Sequence, residues 1–190
     1  MLLGWAGTMI DAAAFAGALG SALIVFSVAK GTGSWTPARL LLTGVVLAAG
    51  FSAVTTLLLS VSPDQQLRGM LFWLIGDLSY AKLPTWAPLV LLGIFLLCMG
   101  LARSLNVLAM GETTARLLGE PTQKLLWVIY LLASVLTASA VSIAGNIGFV
   151  GLIVPHLMRL LVGSDHRILF PAAAMFGGLF LVLSDTLART

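Results

Sequence analysis

Charge is scarce in this chain. Only 9% of its 190 residues are charged and 59% are hydrophobic, against about 25% charged residues in soluble domains. A water-soluble fold of this length has no interior large enough to hide so much apolar surface, so that class is excluded. Cysteine is almost missing as well. The single Cys98 rules out an intrachain disulfide, and its place inside an apolar run reads as a packed thiol. There is no basic cluster either. Ten basic and seven acidic groups, net +3, are scattered between apolar segments, which argues against nucleic-acid binding and leaves the charges to set topology. Met1–Ile10 lacks a basic leader, so the N-terminus does not read as a cleavable signal peptide.

What the chain has instead is uncharged length. Runs without Asp, Glu, Lys or Arg cover Ala12–Ala29, Leu40–Pro63, Leu83–Ala102, Leu125–Met158 and Ile168–Ser184, each near or above the ~20 residues that a bilayer-crossing helix needs. Spans are expected at Ile10–Ala29, Ala38–Ser60, Pro84–Ala102, Leu125–Ala144 and Leu169–Leu187. Gly17, Ala18, Gly20, Ser21 and Ala22 give the first of these the small residues that let membrane helices approach closely. Leu67–Leu78, with Asp77 and Lys82 nearby, is too short to cross and reads as an interfacial or re-entrant helix.

The run Leu125–Met158 would reach about 51 Å as one helix, far beyond a ~30 Å hydrocarbon core, so it must break. Gly145-Asn146-Ile147-Gly148 supplies the turn, leaving Leu152–Val162 as a half-length helix with Pro155 near its start. With the loop Lys30–Arg39 placed inside, Lys30, Arg39, Arg103, Arg116, Lys124, Arg159 and Arg167 share one side, and Arg68, Lys82 and Arg189 the other. That bias makes the first side cytoplasmic. The alternation holds only if Leu152–Val162 returns the chain to that side, which calls for a fully enclosed helix.

The longest polar stretch, residues 103–124, is expected to be a cytoplasmic segment. In it Leu105–Met110 forms one short helix, Gly111 a turn and Glu112–Leu118 a second helix. Glu112 then lies at the positive N-terminal end with Arg116 one turn later, and Gly119 and Pro121 stop the helix. Ala115 and Leu118 on one face, with Leu117 beside Arg116, make either a knob for a protein groove or an amphipathic loop lying on headgroups.

His156, Asp165 and His166 invite a membrane-enzyme or metal reading. Their spacing does not fit a ligand set, so Asp165, His166 and Arg167 read as a solvated turn and His156 as hydrogen-bonded to a carbonyl or a neighbouring helix. Gly145, Gly148 and Gly151 recur every third residue, but no Gly-Lys-Ser or Gly-Lys-Thr follows to make a phosphate loop. They read as close helix packing. No carboxylate sits at the centre of a long span, which argues against a proton- or sodium-driven transporter.

Two stretches carry a family resemblance. GNIGFVGLIVPHLMRLLVGSDHRILFPAAAMFGGLFLVLSDTLAR, Gly145 to Arg189, closely resembles the signature of the FecCD/BtuC-type permeases that import iron-siderophores, haem and cobalamin. LNVLAMGETTARLLG, Leu105 to Gly119, resembles their cytoplasmic coupling segment. Weaker similarity covers Ala38–Gly50 and Met70–Ser79 in matching order.

The resemblance implies an all-α, polytopic transmembrane helical bundle. It matches helices four to nine of a ten-helix type II ABC importer permease, so the chain is expected to be a fragment, a truncated product or an incomplete gene model, within which residues 1–190 form one transmembrane domain. It also implies a bacterial inner-membrane location, a second permease subunit in a homo- or heterodimer, a cytoplasmic ATPase dimer, and a periplasmic or lipid-anchored substrate-binding protein. Membrane lipid is the remaining partner, and no cofactor or nucleic acid is called for. Ala109, Gly111, Glu112, Ala115, Arg116, Leu118 and Gly119 would meet the ATPase. Arg189 would meet the binding protein. Gly145, Gly148, Gly151, Pro155 and His156 would shape the short helix. The competing readings are a membrane enzyme built on His156, Asp165 and His166, and a non-functional permease remnant.

Overall fold

The computed structural model describes residues 7–30, 37–76, 85 and 87–188, and every regular element among them is an α-helix. These are α1 (Gly7–Lys30), α2 (Pro37–Val61), α3 (Asp64–Ile75), α4 (Ala87–Leu108), α5 (Glu112–Leu117), α6 (Thr122–Ala144), α7 (Val150–Val162) and α8 (His166–Ala188). Five of the described helices, α1, α2, α4, α6 and α8, are long and apolar enough to cross a membrane. Their outward faces are lined with leucine and valine, such as Leu41, Leu57, Leu89 and Leu187. That is the inverse of a soluble surface, and it is what hydrocarbon solvates at no cost.

Several helix ends extend past the expected ones, although α4 begins at Ala87 and not at Pro84. α4 runs on to Leu108 rather than stopping at Ala102, so Leu105–Met110 is no separate short helix. Arg103 and Ser104 are both compatible with a helix, and the first positive φ falls only at Gly111, at 107°. α6 starts at Thr122 instead of Leu125, α8 at His166 instead of Leu169, and α7 at Val150 instead of Leu152. Uncharged runs mark where lipid begins, whereas the backbone hydrogen-bond ladder continues through polar terminal turns until a glycine or proline stops it. Pro155 is consequently the sixth residue of α7 rather than a first-turn proline, and it has no N–H to offer the Gly151 carbonyl.

The chain divides into two compact units, Met1–Ala81 with Ser134–Asn146, and Lys82–Ala133 with Ile147–Thr190. In the first, α1 packs on α2. Gly145, at the end of α6, lies against the end of α3, so close that a Cβ there would come within 2.5 Å of the Trp73 carbonyl oxygen. Gly145 has φ 75°, which also disfavours any side chain. Gly148 and Gly151, expected to pack in the same way, meet no atom within 4 Å. The break after α6 was expected at residues 145–148 and extends one residue further, to Phe149 at φ 66°.

In the second unit α8 packs along both α4 and α7. Val154 and Met158 of α7 and Leu169 of α8 form its buried centre, flanked by Val150, Ala172, Ala173 and Phe176. Gly177 lets Val154 approach, with Cγ1 3.6 Å from where a Cβ would stand. Among the described residues the full enclosure expected for the short helix is not found, and Leu152 and Leu160 of α7 remain 69% and 72% exposed. A single packed neighbour covers only one stripe of a 13-residue helix. The three residues 163–165, opened by Gly163 at φ 88°, then turn the chain into α8.

Candidate functional site: the folded turn between α4 and α6

The polar segment after α4 is a small, internally stapled structure. Ala109, Met110 and Gly111 turn the chain, with Gly111 N–H donating to the Leu108 carbonyl at 3.0 Å. The single helical run of α5 follows, ended by Leu118 and by Gly119 at φ 83°. Glu120 N–H then donates to the Ala115 carbonyl at 3.0 Å, closing the helix C-terminus with a six-residue return.

Side chains complete the fold. Ser104 Oγ donates to Glu120 Oε1 at 3.1 Å, tying α4 to the far end of the segment. Arg116 Nε donates to Thr122 Oγ1 at 3.1 Å while its Nη2 pairs with Glu112 Oε1, so one guanidinium joins both ends of α5 to α6. Glu112 stands in the first turn and Arg116 in the last, as expected, and each charge opposes the helix dipole at its own end.

Ala115 is fully buried, as is Ala102 of α4, and α5 packs on α4. Thr122 and Leu125 at the start of α6 are buried too. The outer face is apolar: Leu117 is 84% exposed and Leu118 63%, with Met110 also bare. Glu112, Thr113, Arg116 and Leu117 border an open depression of about 360 Å³. Ala115 and Leu118 differ in burial: the Leu118 N–H still donates to the Thr114 carbonyl at 3.0 Å, which keeps it on the helical path three residues after Ala115, but it stands at the open end of α5. The knob is Leu117 with Leu118, and Ala115 is its root.

The second polar cluster was expected to be a solvated turn, and the structure gives it a partner. Asn106, in the last turn of α4, donates through Nδ2 to Asp165 Oδ1 at 2.7 Å. Its Oδ1 accepts the His166 backbone N–H at 2.9 Å and lies 2.7 Å from His166 Nδ1. Asp165 Oδ1 also accepts the Arg167 N–H at 3.0 Å. That backbone hydrogen bond, and then the one from Asn106, hold the Asp165 carboxyl below the usual carboxylate range. The end of α4 and the start of α8 thus lie on one side of their unit, as the sequence-based alternation requires of α7.

His156 lies apart on an exposed face of α7 and makes no side-chain hydrogen bond to a described residue. Among the described residues, no three of the His, Cys, Asp and Glu side chains are grouped to hold a metal ion. Arg189, Asp77 and Lys82 lie outside the described residues. Sequence reasoning missed Ser104, Asn106, Glu120 and Thr122. The available signal was their polarity at the inner ends of two apolar helices, but a partner for each depends on chain reversal that no local pattern encodes.

A polytopic helical membrane protein with a folded polar turn on one side is the class that these features define. The profile of the FecCD transport family matches residues 2–190. The cobalamin import permease BtuC of Halobacterium salinarum is 44% identical over 183 residues, 95% of this chain and 49% of that protein. The hemin transport permease HmuU of Yersinia pestis is 40% identical over 182 residues, 93% of this chain and 53% of that protein. A solved structure described as an inward-facing conformation of a metal-chelate type ABC transporter superimposes with a TM-score of 0.74 at 35% identity. It covers 90% of this chain and 55% of that one. The chain belongs to the FecCD transport family, and it spans about half the length of the curated relatives it matches.

Proposed function

We propose that this chain supplies permease helices to an ATP-driven importer of metal-chelate compounds such as siderophore iron, haem or cobalamin. The site of action is the cytoplasmic membrane, with ATP hydrolysis performed by a separate subunit. Family membership supports the transporter class, and the relatives named for cobalamin and hemin support the substrate class. The observation that carries the reading is the stapled turn itself. Leu117 and Leu118 stand out on a segment held at Ser104–Glu120 and Arg116–Thr122. A loop meant only to lie on headgroups needs no such internal fixing. Burying one leucine of this kind in a partner's groove contributes about 1.5–3 kcal/mol.

In this account residues 103–124 are the coupling segment. Closure of the ATPase pair on ATP presses on Gly111, Glu112, Leu117 and Leu118. Because α5 is joined to α4 and α6 by short turns and side-chain hydrogen bonds, the displacement passes into the spanning helices instead of being absorbed in the loop. A second permease subunit completes the pathway, and a substrate-binding protein delivers cargo on the opposite face, with Arg189 as one docking charge. Gly145 and Pro155 shape the return of the chain through α7.

The test is transport stoichiometry in the complete permease assembled with its ATPase. Glu112→Ala removes an exposed i,i+4 pair that contributes only about 0.3–0.5 kcal/mol to stability, and Arg116→Ala removes in addition the hydrogen bond to Thr122, about 0.5–1.5 kcal/mol. Both variants are therefore expected to assemble, yet to lower uptake per ATP hydrolysed by about fivefold or more, the scale of a typical coupling energy. Unchanged stoichiometry in both variants would remove the assignment.

A further inference from the structure

Asn106 uses both ends of its amide on a turn 59 residues away in sequence. Its Nδ2 donates a hydrogen bond to Asp165 and its Oδ1 accepts the backbone N–H of His166, while Asp165 in turn accepts the N–H of Arg167. Two first-turn amides of α8, groups that no helix can satisfy internally, are thereby capped, one of them by α4 itself. The His166 ring is held on both sides, by Asn106 at 2.7 Å and by an edge contact with Phe170 at 5.5 Å between centroids.

α4 and α8 also pack along each other, and apolar packing between helices is non-directional and allows one to slide on the other. Hydrogen bonds have a fixed length and direction. The Asn106 knot therefore fixes the axial position of α8 against the last turn of α4, three residues before the turn at Ala109.

We propose that Asn106 is a positioning residue that pins α8 to the coupling segment, so that the two shift as one body when the ATPase subunits close. The pin carries the movement along α8, whose 23 residues end at Ala188, about 35 Å away at the rise of an α-helix. The proposal rests on the reading of residues 103–124 as the coupling segment. It adds a direct route to α8 that bypasses α5–α6.

The experiment uses the complete permease with its ATPase in proteoliposomes, in a Cys98→Ala background, with spin labels at Thr113→Cys and Leu183→Cys. Without substitution at the pin, the distance distribution between the labels is expected to be the same with and without ATP and vanadate. Asn106→Ala is expected to make it nucleotide-dependent, with a shift of about 2–5 Å, the scale of helix displacements in switching proteins. Asp165→Ala cuts the other end of the pin at an exposed position, and should reproduce the shift even if Asn106→Ala assembles poorly. Asp165→Asn keeps an acceptor oxygen and should restore the nucleotide-independent distance. A role limited to helix stability would not produce that pattern.

Identical distributions in the natural chain, Asn106→Ala and Asp165→Ala overturn the pin. The mobility of the Thr113 label on adding the ATPase separates the two levels of argument. If it responds while both pin variants are silent, the pin alone fails. If it does not respond, the coupling-segment reading fails and takes the pin with it.

Discussion

Replacing Gly145 with alanine separates a glycine that the fold requires from glycines that only look alike in sequence. At Gly145 an added methyl would stand 2.5 Å from the Trp73 carbonyl oxygen and 3.2 Å from the Gly76 Cα, both backbone atoms that no rotamer change can move. The residue also has φ 75°, which costs about 1–2 kcal/mol for any residue with a Cβ. Overpacking against backbone adds about 1–3 kcal/mol. The sum is a loss of roughly 2–5 kcal/mol, borne where the end of α6 meets the end of α3. Gly148→Ala places a methyl in open space and should stay within about 0.5 kcal/mol. Gly177→Ala meets only Val154 Cγ1 at 3.6 Å, and in mid-helix it should gain about 0.5–1 kcal/mol. Thermal unfolding of the three variants in detergent, followed by tryptophan fluorescence, orders them. The midpoint of Gly145→Ala should fall by roughly 4–20 °C at the 2–4 °C per kcal/mol of a chain this size. A Gly145→Ala midpoint equal to that of Gly148→Ala would refute the close approach.

Two further perturbations address the polar turns. Leu118→Glu changes a residue 63% exposed in the chain, so folding should be unaffected. Its charge would have to be buried in a partner's groove, and co-purification of the ATPase should drop at least about tenfold; undiminished co-purification counts against docking there. The Asp165 carboxyl, held low by the Arg167 N–H and Asn106, should titrate below the ~3.9 of a free aspartate. The clamp's contribution is then complete above that value and is lost as pH falls through the folded-state pKa. Carboxyl NMR should show Asn106→Ala moving the midpoint upward. An ordinary midpoint in the unsubstituted chain, or no movement, contradicts the hydrogen-bond geometry.

The spanning helices were legible because a bilayer allows few alternatives: a charge-free run near 20 residues has to be a helix, and 34 charge-free residues have to contain a break. Gly145 marked that break, and Glu112, Arg116 and Gly119 outlined α5 correctly. The ends were misread where polarity was taken for the end of a helix, as at Ala102, since Arg103 to Leu108 remain hydrogen-bonded beyond the apolar run. The three-residue spacing set Leu118 beside Ala115, yet only Ala115 is buried, because spacing gives a residue's direction and not what covers it. Asn106 showed only its polarity near the end of an apolar helix, with no sign of its partner. Its role depends on α7 returning the chain to the α4 end, so that partners far apart in sequence meet.

The central claim is that residues 109–119 form a rigid knob seated on a cytoplasmic ATPase. A photoreactive amino acid placed at Leu117 in the complete permease–ATPase assembly tests it most directly, with the same group at Ala115 as the comparison. Leu117 is 84% exposed and Ala115 fully buried, so illumination should join Leu117 to the ATPase subunit and leave Ala115 unjoined. Cross-linking of Leu117 to lipid alone, with no ATPase adduct, would contradict the account and return the segment to a loop resting on headgroups.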